Sequence, residues 1–141
     1  MEITYLIEDN EADWKKVRTI VFLEEQGFKN EFDETDEIAM HFTFYIDDVL
    51  ADCGRMFEDE ENSDMVVFGR IAVLEKYRHL GLGKYIVKTM EDIARDADYK
   101  IVYLSSQCYI QGMYESIGYE VCGEPEMDEH VQHIGMKKVL I

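Results

Sequence analysis

The chain has 141 residues and a net charge of −17 at pH 7, and its hydrophobic content of 47% includes 12% aromatic residues. This length suits one domain with one core, and the apolar content excludes a disordered chain. The negative charge argues against nucleic acid as a ligand. No apolar run approaches the ~20 residues of a membrane span, and the N-terminus lacks the features of a signal peptide. Three cysteines without a C-x-x-C pair fit reduced thiols. We therefore expect a single cytoplasmic domain over residues 1–141.

The apolar periodicity predicts the mixed order β-α-β-β-β-α-β-α-β-β. A first strand over residues 2–7 precedes a helix that Asp9 or Asn10 caps and that Gly27 ends. An acidic loop over residues 28–38 leads to a hairpin around Asp47-Asp48. The later elements are a strand ending at Val73, a helix from Leu82, a strand over residues 100–105, a short helix over 109–117, and strands near 119–122 and 131–140.

The helix from Leu82 joins two strands that must run parallel through a right-handed crossover, because its apolar stripe has to pack back on the sheet. The predicted stripe consists of Leu82, Ile86, Met90, Ile93, Ala94 and Ala97. Ligands in such sheets bind at the carboxyl ends of the strands. We therefore expect a ligand-binding site in the segment between Val73 and Leu82.

That segment reads Tyr77-Arg78-His79-Leu80-Gly81-Leu82-Gly83-Lys84. A strand, a glycine loop and a helix N-terminus in this order bind anions, because the free amides of the first helical turn and the helix dipole point at the ligand. The spacing fits neither a P-loop, since Arg78 stands where its first glycine would be, nor a dinucleotide fingerprint, since Ile86 stands where its third would be. The loop predicts a phosphate cradle of another kind.

The charge distribution supports this prediction. Residues 24–64 carry 15 acidic residues against two basic ones, a local net charge of −13, whereas residues 70–88 carry a local net of +4. Positive charge concentrated around the loop suits a polyanionic ligand. The acidic segment favours attraction of a cationic amine substrate, and the alternative is a solvated surface that keeps the protein soluble.

Further motifs follow one order over residues 17–138. The loop reads R-x-x-G-x-G, and residues 112–119 resemble an F-Y-x-x-x-G-F segment with Met113 and Tyr114 in the aromatic slots. The other matches are Val21-Phe22-Leu23-Glu24-Glu25-Gln26, Glu31 with Asp33, His41, Gly54-Arg55, Gly69-Arg70-Ile71-Ala72-Val73, Ser106-Gln107, and Glu129 with His133. This order resembles the ElaA-like branch of the GNAT superfamily of acyl-CoA-dependent N-acetyltransferases.

The resemblance implies an α/β fold: a mixed, mostly antiparallel sheet with a splayed parallel central strand pair and about four flanking helices. It also implies acetyl-CoA as co-substrate, with pantetheine against the backbone of Ile71, Ala72 and Val73. The other cofactor-binding candidates are Arg78, His79, Leu80, Gly81, Leu82, Gly83, Lys84 and Gln107. Backbone N–H groups of the splayed strand would stabilise the oxyanion.

Tyr114 is the candidate general acid, because it falls at the tyrosine of the F-Y segment and a phenol is protonated at neutral pH. The alternative is a tyrosine that only packs its ring on the sheet. Glu25 and His133 are the candidate bases, His41 and Glu129 are weaker ones, and a water chain is an alternative to all four. A metal site is not expected, since His130 and His133 face opposite sides of a strand.

These residues predict direct transfer of an acetyl group from acetyl-CoA to a primary amine, small and cationic. Neither nucleic acid nor a membrane is expected as a partner, and a homodimer is compatible with the sequence. One alternative is an acyl-CoA-binding module that transfers nothing and acts as a sensor or partner-binding domain. Another is a protein-lysine or N-terminal acetylase, which would need a cleft open to a peptide.

Overall fold

A computed structural model describes residues 1–7 and 10–141. The chain divides into two compact units, the first formed by residues 1–57 and 70–86 and the second by residues 58–69 and 87–141. Two strands and one helix each continue from one unit into the other.

In the first unit, helix α1 (Glu11–Arg18) continues directly as a π-helix (Thr19–Glu25). The wider turn is visible where the Gln26 amide donates to the carbonyl of Val21, five residues back, at 3.1 Å. Gly27 then takes a left-handed conformation with φ of 74°, as predicted for the residue that ends this helix. The buried apolar side chains of the two helices are Trp14, Val17, Val21 and Phe22.

The start of α1 differs from the prediction. Asn10 occupies the N-cap position, but its side chain makes no capping hydrogen bond and instead donates to the Tyr45 hydroxyl at 2.7 Å. The same hydroxyl donates to Asp13 at 2.6 Å, so side chains tie the first turn to a strand. Asp9, the other predicted cap, lies outside the described residues.

Strands β1 (Ile3–Ile7), β2 (Met40–Ile46) and β3 (Val49–Glu58) are antiparallel neighbours in the first unit. The predicted hairpin at Asp47-Asp48 is present, and both residues have positive φ, as a two-residue hairpin loop requires. A bulge between Phe44 and Tyr45 shifts the register, so that Phe44 faces Asp52 while Tyr45 faces Leu50.

Strand β4 (Met65–Val73) ends in the first unit beside β3. The Leu74 amide donates to the Ala51 carbonyl at 2.9 Å, and a 3-10 helix (Glu75–Tyr77) follows. An apolar cluster formed by Ile46, Ala51 and Leu82 lies at this point, and Val73 and Tyr77 pack against it. The cluster holds the end of β4 close to the start of helix α2 (Leu82–Asp96).

In the second unit, the first part of β4 pairs in parallel with β5 (Ile101–Gln107), in a register that runs from Met65↔Ile101 to Phe68↔Leu104. Strand β8 (Val131–Val139) is antiparallel to β5 and also pairs with β6 (Glu120–Val121) and β7 (Glu126–Asp128). The predicted mixed α/β fold, mostly antiparallel with one parallel pair, is confirmed. The sequence does not predict β7, because three exposed residues show no hydrophobic periodicity.

A 3-10 turn (Cys108–Ile110) and α3 (Gln111–Glu115) follow β5, where the sequence predicts one short helix. A further 3-10 helix (Glu34–Glu37) lies in the first unit, within the predicted acidic loop. The buried side chains of α2 are Leu82, Ile86, Val87, Met90, Glu91 and Ala94. Most of the predicted stripe is thus confirmed, whereas Ala97 lies beyond the helix and is exposed. Among residues 1–7 and 10–141, no helix combines the length and the apolar character that a membrane span needs.

Candidate functional site

The glycine loop lies in the first unit, between the 3-10 helix after β4 and the start of α2. His79 and Gly81 both have left-handed backbone, with φ of 67° and 77°. A β-carbon built on Gly81 would meet no atom of the described residues within 4 Å, its two chain neighbours aside, so the space beside this residue is open. Glycine is favoured here because of its φ, and its missing side chain leaves the space to a ligand.

The start of α2 supplies donors toward this loop. The Tyr85 amide donates to the Gly81 carbonyl at 3.2 Å, and the helix begins at Leu82. In a helix with this start, the amides of Leu82, Gly83 and Lys84 have no helical carbonyl to bond. Together with the helix dipole they form an anion-binding end. The geometry therefore fits the predicted phosphate cradle.

Arg78, at the start of the loop, makes three hydrogen bonds to protein groups. Its Nε donates to the Val73 carbonyl at 2.9 Å, and its two terminal nitrogens bind the two oxygens of Glu25 at 2.8 and 2.9 Å. The side chains of Arg78 and Glu25 are 33% and 29% exposed. The structure thus brings together two predicted site residues, one from the loop and one from the end of the π-helix.

A second set of charges surrounds the loop that follows the π-helix. We call it the charged cluster; its members are Arg18, Glu31, Asp33, Asp36, Arg55 and Arg70. Arg18, 1% exposed, donates to Glu31 at 2.8 Å and to Asp36 at 2.7 Å. Arg55 binds Asp33 at 2.7 Å and Asp36 at 2.8 Å. Three arginines therefore meet three carboxylates, and the cluster is neutral overall.

Hydrogen bonds in the cluster hold its aspartates ionised. The bond from Arg55 holds the pKa of Asp33 below its usual value. Burial opposes ionisation of Asp36, but the bonds from Arg18 and from the Asp33 amide outweigh it and lower its pKa to about 2. The charges of Asp33 and Asp36 are therefore neutralised by arginines.

His41, a weaker base candidate, belongs to the surroundings of this cluster. Its ring stacks on Trp14 with centroids 3.9 Å apart, and its Nε2 lies 2.9 Å from the Asp36 carbonyl. Burial lowers its pKa, against the effect of that hydrogen bond. A buried, stacked and hydrogen-bonded imidazole at β2 fits a structural role.

Tyr114, the candidate acid, lies on α3 in the second unit. Its side chain is buried, and its ring makes an edge contact with Tyr119 at 5.7 Å between centroids. Burial raises the pKa of Tyr114 to about 12, so the phenol holds its proton at neutral pH. The protonation state fits a general acid, whereas the ring packing is what the structural alternative also predicts.

The second unit also brings Gln107 and His133 together. They are direct register partners on the antiparallel strands β5 and β8. The His133 Nδ1 lies 3.1 Å from the Val131 carbonyl, a distance at which a protonated Nδ1 donates and Nε2 becomes the basic nitrogen. His130 lies in the turn before β8, and within residues 1–7 and 10–141 no group of three or more ligating side chains is placed to hold a metal ion.

A comparison with family models identifies the family of the chain. A family model described as the acetyltransferase (GNAT) domain matches residues 8–140. The chain belongs to the GNAT acetyltransferases. These are acyl-CoA-dependent N-acyltransferases, and acetyl-CoA is the co-substrate of the family.

Individual relatives agree with this assignment. A Bacillus subtilis (strain 168) protein with an acetyltransferase name is 32% identical over 128 residues, which cover 87% of this chain and 85% of the relative. Protein ElaA of Escherichia coli (strain K12) is 28% identical over 130 residues, covering 89% and 85%. The predicted resemblance to the ElaA-like branch is therefore confirmed.

Solved structures share the fold. The crystal structure of Escherichia coli ElaA has a TM-score of 0.84 at 24% identity and covers 97% of this chain and 99% of that one. A Bacillus subtilis acetyltransferase crystallised in complex with CoA has a TM-score of 0.78 at 14% identity, covering 99% and 100%.

Sequence reasoning missed one chemically unusual residue of this GNAT domain. Asp52 on β3 is 1% exposed, and neither of its carboxylate oxygens has a hydrogen-bond partner among the described residues. Burial raises its pKa to about 7. The available signal was a lone aspartate inside the strand segment Leu50-Ala51-Asp52-Cys53, a composition typical of a buried strand.

Proposed function

We propose that the protein transfers the acetyl group of acetyl-CoA directly to a small primary amine. The observation that carries this proposal is the anion-binding end of α2, where an open space beside Gly81 meets the donors of Leu82, Gly83 and Lys84. This arrangement suits the pyrophosphate of the co-substrate.

The loop residues would divide the binding of acetyl-CoA between backbone and side chains. The amides at the start of α2 would hold phosphate oxygens, and the exposed Lys84 would add a positive charge. Pantetheine would lie along the backbone of Ile71, Ala72 and Val73, while Gln107 is the candidate contact from β5. Fixed backbone donors cost no reorganisation when charge develops on the thioester oxygen.

In the proposed reaction, a neutral amine attacks the thioester carbonyl, so that a C–N bond forms and the C–S bond breaks. Tyr114 would donate its proton to the departing thiolate. Its pKa of about 12 keeps it protonated for this task, and a phenolate left behind would regain a proton from water. The resemblance of residues 112–119 to the F-Y segment supports this role.

The amine also has to lose a proton. Glu25 and His133 are our candidates, and the two differ in their surroundings. The Glu25 carboxylate is already bound by Arg78, whereas the contact of His133 Nδ1 with a carbonyl favours the tautomer in which Nε2 accepts a proton. We therefore propose His133 as the better candidate.

We further propose that the acceptor is cationic, as the local net charge of −13 over residues 24–64 suggests. Since Asp33 and Asp36 are paired with arginines, the exposed Glu34 and Glu37 are better placed to attract a cation. Attraction of this kind acts through the field and is sensitive to salt.

Release of free CoA with a panel of polyamines, amino acids and aminoglycosides tests the proposal. Turnover with at least one primary amine, and none with the matching N-acetylated amine, is the expected result. Tight acetyl-CoA binding without turnover across the panel would instead support the non-catalytic acyl-CoA-binding module. A neutral amine as the best acceptor would remove the charge argument and leave the reaction type intact.

A further inference from the structure

We infer that Arg70 is a positioning residue: its ion pairs hold a left-handed backbone inside β4 and thereby direct the next three residues, Ile71–Val73, toward the co-substrate. This inference rests on the proposed function, because Ile71–Val73 are its proposed pantetheine contacts. It concerns the first unit alone.

The backbone of Arg70 is unusual for its place. Six non-glycine residues of the described chain have positive φ, and they are Asp47, Asp48, Arg70, His79, Asp98 and Glu129. Five of the six lie in turns, whereas Arg70, with φ of 51°, lies inside a strand. A long side chain in this conformation carries strain that persists only when the surroundings impose it.

Contacts at the side chain and at the main chain of Arg70 hold its backbone in the left-handed conformation. Its Nε lies 2.9 Å from a Glu31 carboxylate oxygen, and a terminal nitrogen lies 3.3 Å from Asp33. The guanidinium also donates to the Glu31 main-chain carbonyl at 3.3 and 3.4 Å. On the main-chain side, the Arg70 carbonyl accepts the Cys53 thiol at 3.5 Å. The residue is thus held at both ends.

The partners of Arg70 are themselves fixed. Glu31 is 6% exposed and is bound by Arg18 at 2.8 Å, and Asp33 is bound by Arg55 at 2.7 Å. The guanidinium of Arg70 therefore docks on a rigid surface made by the rest of the charged cluster. A network of ion pairs such as the charged cluster can hold a strained residue in one conformation.

The strained residue lies directly before Ile71–Val73, whose backbone orientation is important for the proposed contact with pantetheine. The paired residues of β4 and β5 run from Met65 to Phe68, and the left-handed residue follows two positions later. Positive φ at Arg70 turns the peptide plane that leads into Ile71. The orientation of the following N–H and C=O groups then depends on whether this φ is kept. By fixing φ of Arg70, the charged cluster fixes the orientation of these backbone groups.

A substitution series tests the inference, with acetyl-CoA affinity measured by calorimetry and kcat and KM measured with the best acceptor. The variants are Arg70→Gly, Arg70→Asn, Arg70→Ala and Arg70→Val, in order of falling tolerance for positive φ. Acetyl-CoA affinity should follow this order, with glycine within a few-fold of the wild type and alanine or valine weaker by about tenfold or more.

The order separates positioning from other roles. If the ion pairs only stabilised the fold, the variants would differ in melting temperature, and every variant that folds would keep the wild-type affinity for acetyl-CoA. If the Arg70 side chain contacted the acceptor, all four variants would raise the acceptor KM equally and leave acetyl-CoA affinity unchanged. Either result would overturn the inference. Should alanine and valine fail to fold, loss of affinity in the folded glycine variant, by about tenfold or more, would do so as well.

Asp98 offers a matched control. It also has positive φ, 69°, but lies in the turn after α2. Asp98→Gly and Asp98→Ala should differ in melting temperature and not in acetyl-CoA affinity. Failure of the proposed function is recognised separately, because the wild-type protein itself would then not bind acetyl-CoA.

Discussion

Glu25 and Arg78 form an ion pair in which both carboxylate oxygens meet both terminal guanidinium nitrogens, at 2.8 and 2.9 Å. The pair connects the end of the π-helix to the start of the glycine loop. Since both side chains are about one-third exposed, we expect it to contribute only ~0–1 kcal/mol to stability. A phosphate group can therefore compete with Glu25 for Arg78.

This relationship gives a first prediction. Arg78→Ala should raise the KM for acetyl-CoA more than it lowers kcat, because a phosphate-binding cation is lost. Glu25→Gln should leave acetyl-CoA affinity unchanged or improve it a few-fold, because Arg78 is released. Steady-state kinetics and calorimetry measure both. Equal loss of acetyl-CoA affinity in the two variants would mean that the pair acts as a structural clamp. Arg95→Ala, a helix surface change, serves as control.

The glycine loop gives a second prediction. Gly81→Val should weaken acetyl-CoA binding by ~1–3 kcal/mol, because a β-branched residue resists φ of 77° and its side chain enters the open space. Gly123 provides a matched control, with φ of 93° and, apart from its chain neighbours, no atom of the described residues within 4 Å of a built β-carbon. Gly123→Val should destabilise the fold and leave acetyl-CoA affinity as it is. Unchanged calorimetric affinity in Gly81→Val would remove the cradle.

Tyr114→Phe tests whether Tyr114 is the general acid. The ring and its contact with Tyr119 remain while the proton donor is removed. Turnover should fall by roughly 10²-fold with acetyl-CoA affinity nearly unchanged, as expected for a contact made only in the transition state. Tyr119→Phe, which loses its bond to Glu91, is the comparison for a purely structural hydroxyl. Full turnover in Tyr114→Phe would assign the proton to water or another group.

Asp52 gives a prediction about pH. Its pKa rises from the ordinary 3.8 to about 7 on folding, so the folded protein holds a proton that the unfolded chain has lost in this range. Stability should therefore fall as pH rises from about 4 to about 7. The free energy of unfolding of Asp52→Asn, relative to that of the wild type, should increase by on the order of 2–4 kcal/mol between pH 4 and pH 8.

Denaturant unfolding of both proteins at several pH values measures this difference. Asp92→Asn is the control for the loss of a carboxylate from the surface, because the Asp92 side chain is 76% exposed. A pH-independent difference between Asp52→Asn and the wild type would show that Asp52 is ionised in the folded state.

The salt dependence of the reaction tests whether the acceptor is cationic. For a cationic acceptor, kcat/KM should fall with ionic strength, since exposed charges are screened over ~8 Å at physiological salt. Glu34→Gln with Glu37→Gln should flatten this response without loss of stability. Asp33→Asn with Asp36→Asn should instead unfold the loop, since it leaves buried arginine charge unpaired. A salt-independent kcat/KM for the best acceptor would make the acidic segment a solubilising surface.

Several local features could be predicted because they depend on neighbouring residues. The hairpin at Asp47-Asp48, the left-handed end at Gly27 and the apolar face of α2 all follow from turn preferences and periodicity. The glycine loop between β4 and α2 is local in the same sense, since strand, glycine and helix start lie within a dozen residues. The π-helical widening after Arg18 was not predictable, because the same apolar stripe suits an ordinary α-helix.

The sequence by itself therefore determined the family, the mixed α/β order and the glycine loop before α2, since each depends on short segments whose physics is local. Only the tertiary structure decided where the charges go. It paired Asp33 and Asp36 with Arg18 and Arg55, which lie 18 to 22 residues away along the chain, and it left the Asp52 carboxylate with no hydrogen-bond partner among the described residues. Ion pairs and burial depend on which distant residues share a face of the fold, and a linear pattern of charges does not contain that information.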